Sequence, residues 1–251
     1  MIRRVAERLS RGVVLRRRLP SRFGRIPIYV TPEAGLRYWS VMSKVDPLLY
    51  DMAEELVKPG SVVWDIGANV GLFSLCACAR AGRSGFVLSV EPDSWLAHLI
   101  QRSSQNLDYG KCSQVEVLCA SVSDSNRISR LEIAQRARSA NHLIEASGST
   151  QAQGSRCLQL TVSLTLDCLL QHFPPPSILK IDVETHEVNV LQGATQLLRE
   201  AKPTVWCEVA HENSTQVTAL LRAAGYEFYG AETRPHPRAD RAWFNTLAIP
   251  T

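Results

Sequence analysis

From residue 61 to the C-terminus of this 251-residue chain, short apolar strands alternate with helical patterns. A buried strand at residues 61–66 leads through a glycine-bearing turn into a helix, and strands at residues 86–90 and 178–183 continue the alternation. Strands that are separated by helices form a parallel sheet with helices on both faces. We therefore expect an α/β fold with a mostly parallel sheet.

The same patterns predict the other elements. Asp46 and Pro47 suit the N-cap and first position of a helix, which Pro59 and Gly60 end. Residues 123–155 are polar and less regular, with a strand possible at 130–133 and a loop at 146–154. The further predicted helices are residues 72–80, 95–107, 166–172, 186–201 and 214–224, and the further predicted strands are residues 26–31, 115–122, 158–164, 204–209, 226–229 and 244–249.

Positive charge is concentrated at the N-terminus. The first 25 residues carry nine arginines and one acid, Glu7, so their net charge is +8 within a total of +4. The remaining residues sum to −4 and give no reason to expect a nucleic-acid partner. We divide the chain into a basic N-terminal arm and extension, residues 1–45, and one domain, residues 46–251. If residues 1–25 are accessory, a chain that begins near Arg25 should fold normally.

The arm has a helical apolar spacing, with Ile2, Val5, Leu9 and Val13 three or four residues apart. Three interpretations stay open: a basic helix that contacts a membrane surface or a partner, an organelle transit peptide, and a solvated terminus. No apolar core follows the arginines, so the segment does not resemble a secretory signal.

The seven cysteines contain no C-x-x-C pair, which disfavours zinc ribbons and thioredoxin-like chemistry. Reduced thiols in a reducing compartment are the simplest interpretation. No apolar run approaches the roughly 18 residues that a membrane-spanning helix needs. We therefore expect a soluble, cytoplasmic protein without a transmembrane segment.

The turn after the first strand of the domain indicates a nucleotide-like ligand. Asp65 ends the strand, and Gly67 and Gly71 flank a turn that leads into a helix, whose N-terminus offers unpaired N–H groups. Glu91 ends the next strand, where doubly wound folds place the carboxylate that binds a ribose diol. Without a ligand, Asp65 and Glu91 would be two carboxylates at helix N-termini.

The glycine spacing distinguishes between ligands. A dinucleotide site requires G-x-G-x-x-G, but Asn69 and Leu72 occupy the second and third glycine positions here. S-adenosylmethionine carries an ammonium group that Asp65 could help to neutralise. We therefore expect S-adenosylmethionine as the cofactor and keep an NAD-dependent oxidoreductase as a remote alternative.

These motifs resemble the FkbM-type methyltransferase family over roughly residues 47–249. The resemblance implies a class I, Rossmann-like fold with a seven-stranded sheet, its last strand antiparallel, and usually O-methylation. The segments that carry it are Asp65-Ile66-Gly67-Ala68-Asn69-Val70-Gly71, Glu91-Pro92, Val122-Ser123-Asp124, Leu166-Asp167, and Lys180-Ile181-Asp182-Val183-Glu184 with Glu187 and Gly193.

The resemblance also assigns roles within the cofactor site. Glu91 would hold the ribose hydroxyls, and Asp124 would lie near the adenine. The residues that would frame the methionine end are Asp65, Gly67, Asn69 and Gly71.

The candidate catalytic residues follow the strand at residues 178–183, where ligands of open α/β sheets bind. Methyl transfer to oxygen requires removal of the acceptor's proton. His186 has the most suitable ordinary pKa for that role, and Asp182 or Glu184 could serve with a raised pKa. Lys180 lies within the strand, and we expect it to pair with a carboxylate.

One departure affects the acceptor side, because Thr185 stands where the family usually has glycine. A catalytically silent domain that binds S-adenosylmethionine is therefore the alternative function. Glu208, His211 and Asn213 imitate a catechol-type metal site only loosely, so we predict no metal. The expected acceptor is a hydroxyl of a small molecule or glycan.

Overall fold

The computed structural model describes residues 9–134, 138, 141–144 and 155–251. Most of the predicted arm helix and the predicted loop at 146–154 lie outside the described residues. The strands are β1 (Leu15–Arg18), β2 (Pro27–Val30), β3 (Val62–Ile66), β4 (Phe86–Val90), β5 (Gln114–Leu118), β6 (Ser121–Val122), β7 (Arg127–Ala134), β8 (His142–Leu143), β9 (Ser155–Leu164), β10 (Ile178–Ile181), β11 (Thr204–Glu208), β12 (Tyr226–Gly230), β13 (Arg238–Ala239) and β14 (Asn245–Pro250).

Seven α-helices lie among the described residues. As predicted, α1 starts at Pro47 with Asp46 as its N-cap, because the Asp46 side chain accepts a hydrogen bond from the N–H of Leu49. The helices are α1 (Pro47–Leu56), α2 (Leu72–Ala81), α3 (Ser94–Ser104), α4 (Leu166–Leu170), α5 (Glu187–Gln192), α6 (Thr195–Glu200) and α7 (Ser214–Ala223). None of these helices has the length and apolarity needed to cross a membrane.

The main sheet has the strand order β13-β12-β14-β11-β10-β3-β4-β5. β10 is parallel to β3 and β11, while β14 is antiparallel to both of its neighbours, β11 and β12. This is the class I methyltransferase arrangement, with the last strand antiparallel, as expected. The two-residue β13 adds an eighth strand at the edge, beyond the seven that were predicted.

A second sheet has the order β6-β9-β7-β8. Its β7 and β8 come from the region predicted to be irregular, and most of its β9 is the strand predicted at residues 158–164. The strand predicted at residues 115–122 was wrong in one respect, because it divides into β5 and β6, which belong to different sheets. On the outer face of this sheet Ile128, Leu158 and Leu160 are more than half exposed, alongside Arg130. Apolar residues on the solvent side remove the alternation from which a strand is recognised.

The helix predicted at residues 186–201 is two helices, α5 and α6, separated at Gly193. A side chain at Gly193 would lie 2.2 Å from the carbonyl oxygen of Ser123. The Asp167 carboxylate accepts hydrogen bonds from the N–H groups of Gln196 and Leu197, at 2.9 and 2.8 Å. This carboxylate therefore caps a new helix N-terminus that the periodicity alone does not show.

The N-terminal extension packs into the main core. Leu19, Phe23 and Ile28 are buried in the same apolar cluster as Val63 and Phe73 of the main domain. Leu19 and Phe23 are therefore part of the main core, so the first 25 residues are not purely accessory. The division of the chain at residues 45 and 46 stays a prediction.

Candidate active site

A cavity of about 440 Å³ lies at the carboxyl ends of β3, β4, β10 and β11. Its position follows from the parallel strands, whose carboxyl ends meet at one edge of the sheet. Of the nine residues predicted from the sequence, six line the cavity, namely Gly67, Asn69, Glu91, Asp182, Glu184 and His186. Asp65, Gly71 and Asp124 do not line it.

The turn at Gly67 lies between two strand ends. Its N–H donates to the carbonyl of Val90 at 2.9 Å, and Gly67 has a left-handed φ of +76°. A Cβ atom at this position would lie 1.9 Å from the carbonyl oxygen of Asp182. Gly67 is therefore required by both its conformation and the close approach of the backbone after β10.

Asn69 and Glu91 form one wall of the cavity. The Asn69 N–H donates to Glu91 Oε2 at 2.8 Å, and the Asp93 N–H donates to Glu91 Oε1 at 2.9 Å. Burial raises the pKa of Glu91 to about 8, although both N–H groups oppose that rise. Asn69 Oδ1 is buried and has no partner among the described residues. This wall thus presents a hydrogen-bond acceptor without a partner among the described residues, Asn69 Oδ1, beside the buried carboxyl group of Glu91.

Asp65 lies beneath the cavity and is fully buried. Its carboxylate accepts a hydrogen bond from Ser74 Oγ at 2.6 Å and lies 3.2 Å from Lys180 Nζ. Lys180 Nζ also donates to Asp182 Oδ2 at 3.3 Å. Burial opposes the charge of Lys180, but the two carboxylates outweigh it and raise its pKa. The expected pairing of Lys180 with a carboxylate is confirmed. Among the described contacts, the Lys180 ammonium group links the Asp65 carboxylate to Asp182, which lines the cavity.

Gly71 and Asp124 have structural partners outside the cavity lining. A side chain at Gly71, whose φ is +79°, would lie 3.0 Å from the side chain of Ile100. Asp124 Oδ1 lies 2.5 Å from an Arg127 nitrogen, and this hydrogen bond holds the pKa of Asp124 well below its usual range. Contacts of these two residues with a cofactor stay predictions.

His186 lines the cavity but is only 3% exposed. Its Nε2 lies 3.0 Å from Ser123 Oγ, to which Arg127 also donates a hydrogen bond at 3.0 Å. The residue occupies the N-cap position of α5. The imidazole is therefore held in place by the segment after β6.

Carboxyl groups dominate the opposite end of the cavity. Because Ile181 pairs with Cys207, Asp182 and Glu208 follow neighbouring positions on adjacent parallel strands. Desolvation and the nearby carboxylates of Asp182 and Glu208 raise the pKa of Glu184 to about 8, although part of the residue remains exposed to solvent. Burial and the charge of Asp182 raise the pKa of Glu208 to about 7. No cluster suited to a metal ion occurs among the described residues.

Two residues of this end were not proposed for the cavity from the sequence. The position of Glu208 at the end of the strand next to that of Asp182 indicated a place near the cavity, but from the sequence we considered this residue only as part of a metal site. Arg37 lines the cavity and forms an ion pair with Asp46 at 3.1 Å. It comes from the N-terminal extension and belongs to no recognisable motif.

The opposite side of the cavity includes Arg138 and Asn141, from the region whose sequence showed no motif. Asp93 Oδ2 accepts hydrogen bonds from Asn141 Nδ2 at 2.8 Å and from Arg138 at 2.5 Å. Glu33, in the extension, forms a further ion pair with Arg138 at 3.4 Å. These contacts join the extension, the helix after β4 and the second sheet around the cavity.

The raised pKa values predict a pH-dependent stability. A carboxyl group whose pKa is higher in the folded protein than in the unfolded chain takes up protons on folding. The free energy of unfolding should therefore fall as the pH rises from about 4.5, the ordinary value, to about 8. We expect Glu184→Gln to make this fall shallower in urea titrations across that range. Glu212→Gln is the control, because Glu212 is an exposed carboxyl group that does not line the cavity. Parallel curves for Glu184→Gln and the unmodified protein would contradict the prediction.

The loop after β10 contains two left-handed residues, Glu184 with φ +47° and Thr185 with φ +73°. Asn213 donates to the carbonyl of Thr185 at 2.8 Å, and the N–H of Thr185 donates to Glu187 Oε1 at 2.9 Å. Thr185 Oγ1 is buried without a partner among the described residues. Thr185 thus adopts a left-handed backbone conformation that glycine tolerates better than threonine, and this conformation strains the backbone.

Thr185→Gly is expected to stabilise the protein. Relief of the left-handed strain is worth about 1–2 kcal/mol, which the greater freedom of glycine in the unfolded chain offsets by about 0.5–1 kcal/mol. Loss of the unpaired hydroxyl adds to the gain. Urea unfolding should show a net increase of about 1 kcal/mol. Thr215→Gly, on the exposed face of α7, should instead lower the stability, and a loss for both variants would disprove the strain argument.

The strand order and the cavity at the strand ends define a class I methyltransferase fold. Residues 65–228 match the family described as Methyltransferase FkbM domain, a span of more than half the chain. The chain belongs to this family, which confirms the resemblance seen in the sequence.

Individual relatives are distant. Hexuronic acid methyltransferase AglP of Haloferax volcanii is 27% identical over 179 residues, which cover 70% of this chain and 66% of that protein. The structure of Methyltransferase FkbM from Methylobacillus flagellatus matches with 14% identity and a TM-score of 0.47, covering 80% of this chain and 50% of that one. A SAM-dependent methyltransferase from Aquifex aeolicus matches with 14% identity and a TM-score of 0.41, covering 86% and 98%. This chain thus spans only part of AglP and of the Methylobacillus protein.

Proposed function

We propose that this protein transfers a methyl group from S-adenosylmethionine to a hydroxyl oxygen of a small molecule or glycan. The observation that carries the proposal is one cavity with two distinct ends. Asn69 and Glu91 follow β3 and β4 and define one end, whereas Asp182, Glu184 and Glu208 follow the neighbouring strands β10 and β11 and define the other. The relationship to a hexuronic acid methyltransferase, weak as the identity is, supports a sugar acceptor.

The residues at the first end fit the cofactor. Glu91 offers carboxyl oxygens for a ribose diol, and the buried Oδ1 of Asn69 offers an acceptor that the described residues leave unused. Gly67 brings the backbone of the turn to the cavity wall. When bound, S-adenosylmethionine would supply an electrophilic methyl group.

The carboxyl groups at the second end suit proton removal. An acceptor hydroxyl must lose its proton to a base whose pKa is close to the working pH. Glu184 and Glu208, with pKa values of about 8 and about 7, meet that requirement. Asp182, held by Lys180, would orient the hydroxyl or take its proton. His186 is the remaining candidate base.

Calorimetric titration with S-adenosylhomocysteine and NAD tests the cofactor half of the proposal. We expect binding of S-adenosylhomocysteine and none of NAD. Glu91→Ala should weaken binding about tenfold or more, because it removes two hydrogen bonds to the ribose diol that contribute about 0.5–1.5 kcal/mol each. Asp65→Ala provides a comparison, since any effect on affinity must act through Lys180. Binding of NAD, or equal affinity in both variants and the unmodified protein, would contradict the assignment.

Turnover separates the enzyme from a silent binding domain. Extracts and hydroxylated saccharides incubated with methyl-labelled S-adenosylmethionine should yield labelled ethers if the protein is an O-methyltransferase. Cofactor binding without transfer to any fraction would favour the silent domain, for which the strained Thr185 is the motivation. Residues 46–251 as the catalytic domain and a cytoplasmic location are part of the same proposal.

A further inference from the structure

We propose that a basic face of the N-terminal extension docks on an anionic lipid membrane surface. This face surrounds a shallow hollow of about 560 Å³ that is separate from the active-site cavity. It consists of Arg17, Arg18, Arg25, Trp39 and Val41 and is called the basic face below. The proposal does not depend on methyl transfer.

The arginines of the basic face are not neutralised by any residue that the structure describes. Arg17, Arg18 and Arg25 form no ion pair with a described residue, and no carboxylate lines the hollow. Arg17 Nε also has no hydrogen-bond partner among the described residues. By contrast, the neighbouring Arg22 is paired with Asp51 and Glu54. The hollow therefore presents uncompensated positive charge, which attracts anionic headgroups.

Apolar side chains stand beside these charges. Trp39 is 47% exposed and Val41 is 68% exposed, with only Ser40 between them. The Trp39 indole N–H donates to Ser10 Oγ at 3.1 Å, so the ring is anchored at one edge. Tryptophan is enriched where a protein meets the interfacial region of a bilayer. Exposed apolar groups beside unpaired arginines match a lipid surface better than a soluble anion, which would use the charges alone.

The basic face adjoins the active site along the chain. The 3-10 helix Leu36–Trp39 contributes Leu36 and Arg37 to the active-site cavity and Trp39 to the basic face. Docking would hold this helix against the membrane. The end of the cavity lined by Asp182, Glu184 and Glu208, where the proposed function places the acceptor and which is called the acceptor end below, would then lie within one short helix of the lipid surface.

Sedimentation of the full chain with vesicles tests the proposal. We expect binding to phosphatidylcholine vesicles that contain phosphatidylserine, and loss of binding on pure phosphatidylcholine or in high salt. Arg18→Gln combined with Arg25→Gln should weaken binding about 30-fold, since each arginine near an anionic surface contributes about fivefold. Trp39→Ser combined with Val41→Ser should also weaken it.

Arg83→Gln combined with Arg199→Gln is the matched control, because both arginines are exposed and form no ion pair with a described residue. This control should bind vesicles almost as well as the unmodified protein. The proposal is overturned if the protein does not sediment with vesicles that contain phosphatidylserine. It is also overturned if the control loses as much affinity for these vesicles as the variant with Arg18→Gln and Arg25→Gln. It is equally overturned if both variants of the basic face retain full binding. The apolar variant keeps the test valid should the arginine variant fail to fold.

Discussion

Replacing Gly67 with alanine is expected to abolish binding of S-adenosylhomocysteine. The new Cβ atom would lie 1.9 Å from the carbonyl oxygen of Asp182, where contacting atoms need about 3.5 Å. Either the turn after β3 or the segment after β10 must move by more than 1 Å. The turn that carries Gly67 and Asn69 would then lose its place in the cavity lining, and with it the contacts proposed for the cofactor. Calorimetric titration should therefore detect little or no binding.

Gly24→Ala is the matched control for this substitution. Gly24 has a similar left-handed φ of +68°, but no atom lies within 4 Å of an added Cβ. It should lower the free energy of unfolding by about 1–2 kcal/mol and leave cofactor affinity unchanged. If Gly67→Ala behaves in the same way as Gly24→Ala, the close approach at Asp182 does not govern the site.

Asp182→Asn is expected to reduce methyl transfer about 10²–10⁴-fold, the range of general acid–base contributions. Asparagine keeps the shape of the side chain but loses the charge that holds Lys180 Nζ at 3.3 Å and faces the acceptor end. Affinity for S-adenosylhomocysteine should stay within a few-fold, because Asn69 and Glu91 are untouched. Single-turnover rates with labelled cofactor, compared with those of the exposed Asp240→Asn, provide the measurement.

Two outcomes would revise the roles at this end. Full turnover by Asp182→Asn would place the reaction elsewhere. Loss of cofactor binding would assign Asp182 to the cofactor half and leave Glu184 or His186 as the base. His186→Ala should lower turnover and remove a pH dependence near neutrality only if the imidazole is that base.

The main sheet could be predicted from sequence because its buried strands are short apolar runs between clear stop signals. β4 matches its predicted bounds, and β3 differs by one residue. The second sheet was predicted only in part: the strand predicted at residues 158–164 is most of β9, but β7 was given only as a possible strand at 130–133, and its outward Ile128 is apolar. Where outward positions are also apolar, the sequence pattern does not show which face of the strand is buried.

The two halves of the candidate site also differ in how far the sequence predicts them. Gly67, Asn69 and Glu91 belong to local motifs, so their place in the cavity was predictable. The acceptor end combines residues from distant segments, such as Arg37 and Glu208, and only the tertiary fold brings them together. Asp65 shows a related limit. Its pairing with Lys180 depends on the register between β3 and β10, which the sequence does not reveal.

The N-terminal extension contributes part of the cavity lining from outside the span that matches the family. Residues 32, 34–37 line the cavity but precede the span at 65–228 that matches the family. On the proposed function, this segment would shape the acceptor pocket, whereas the cofactor motifs from Asp65 to Glu91 lie inside the matched span. An engineer who wishes to change the acceptor should diversify this segment first.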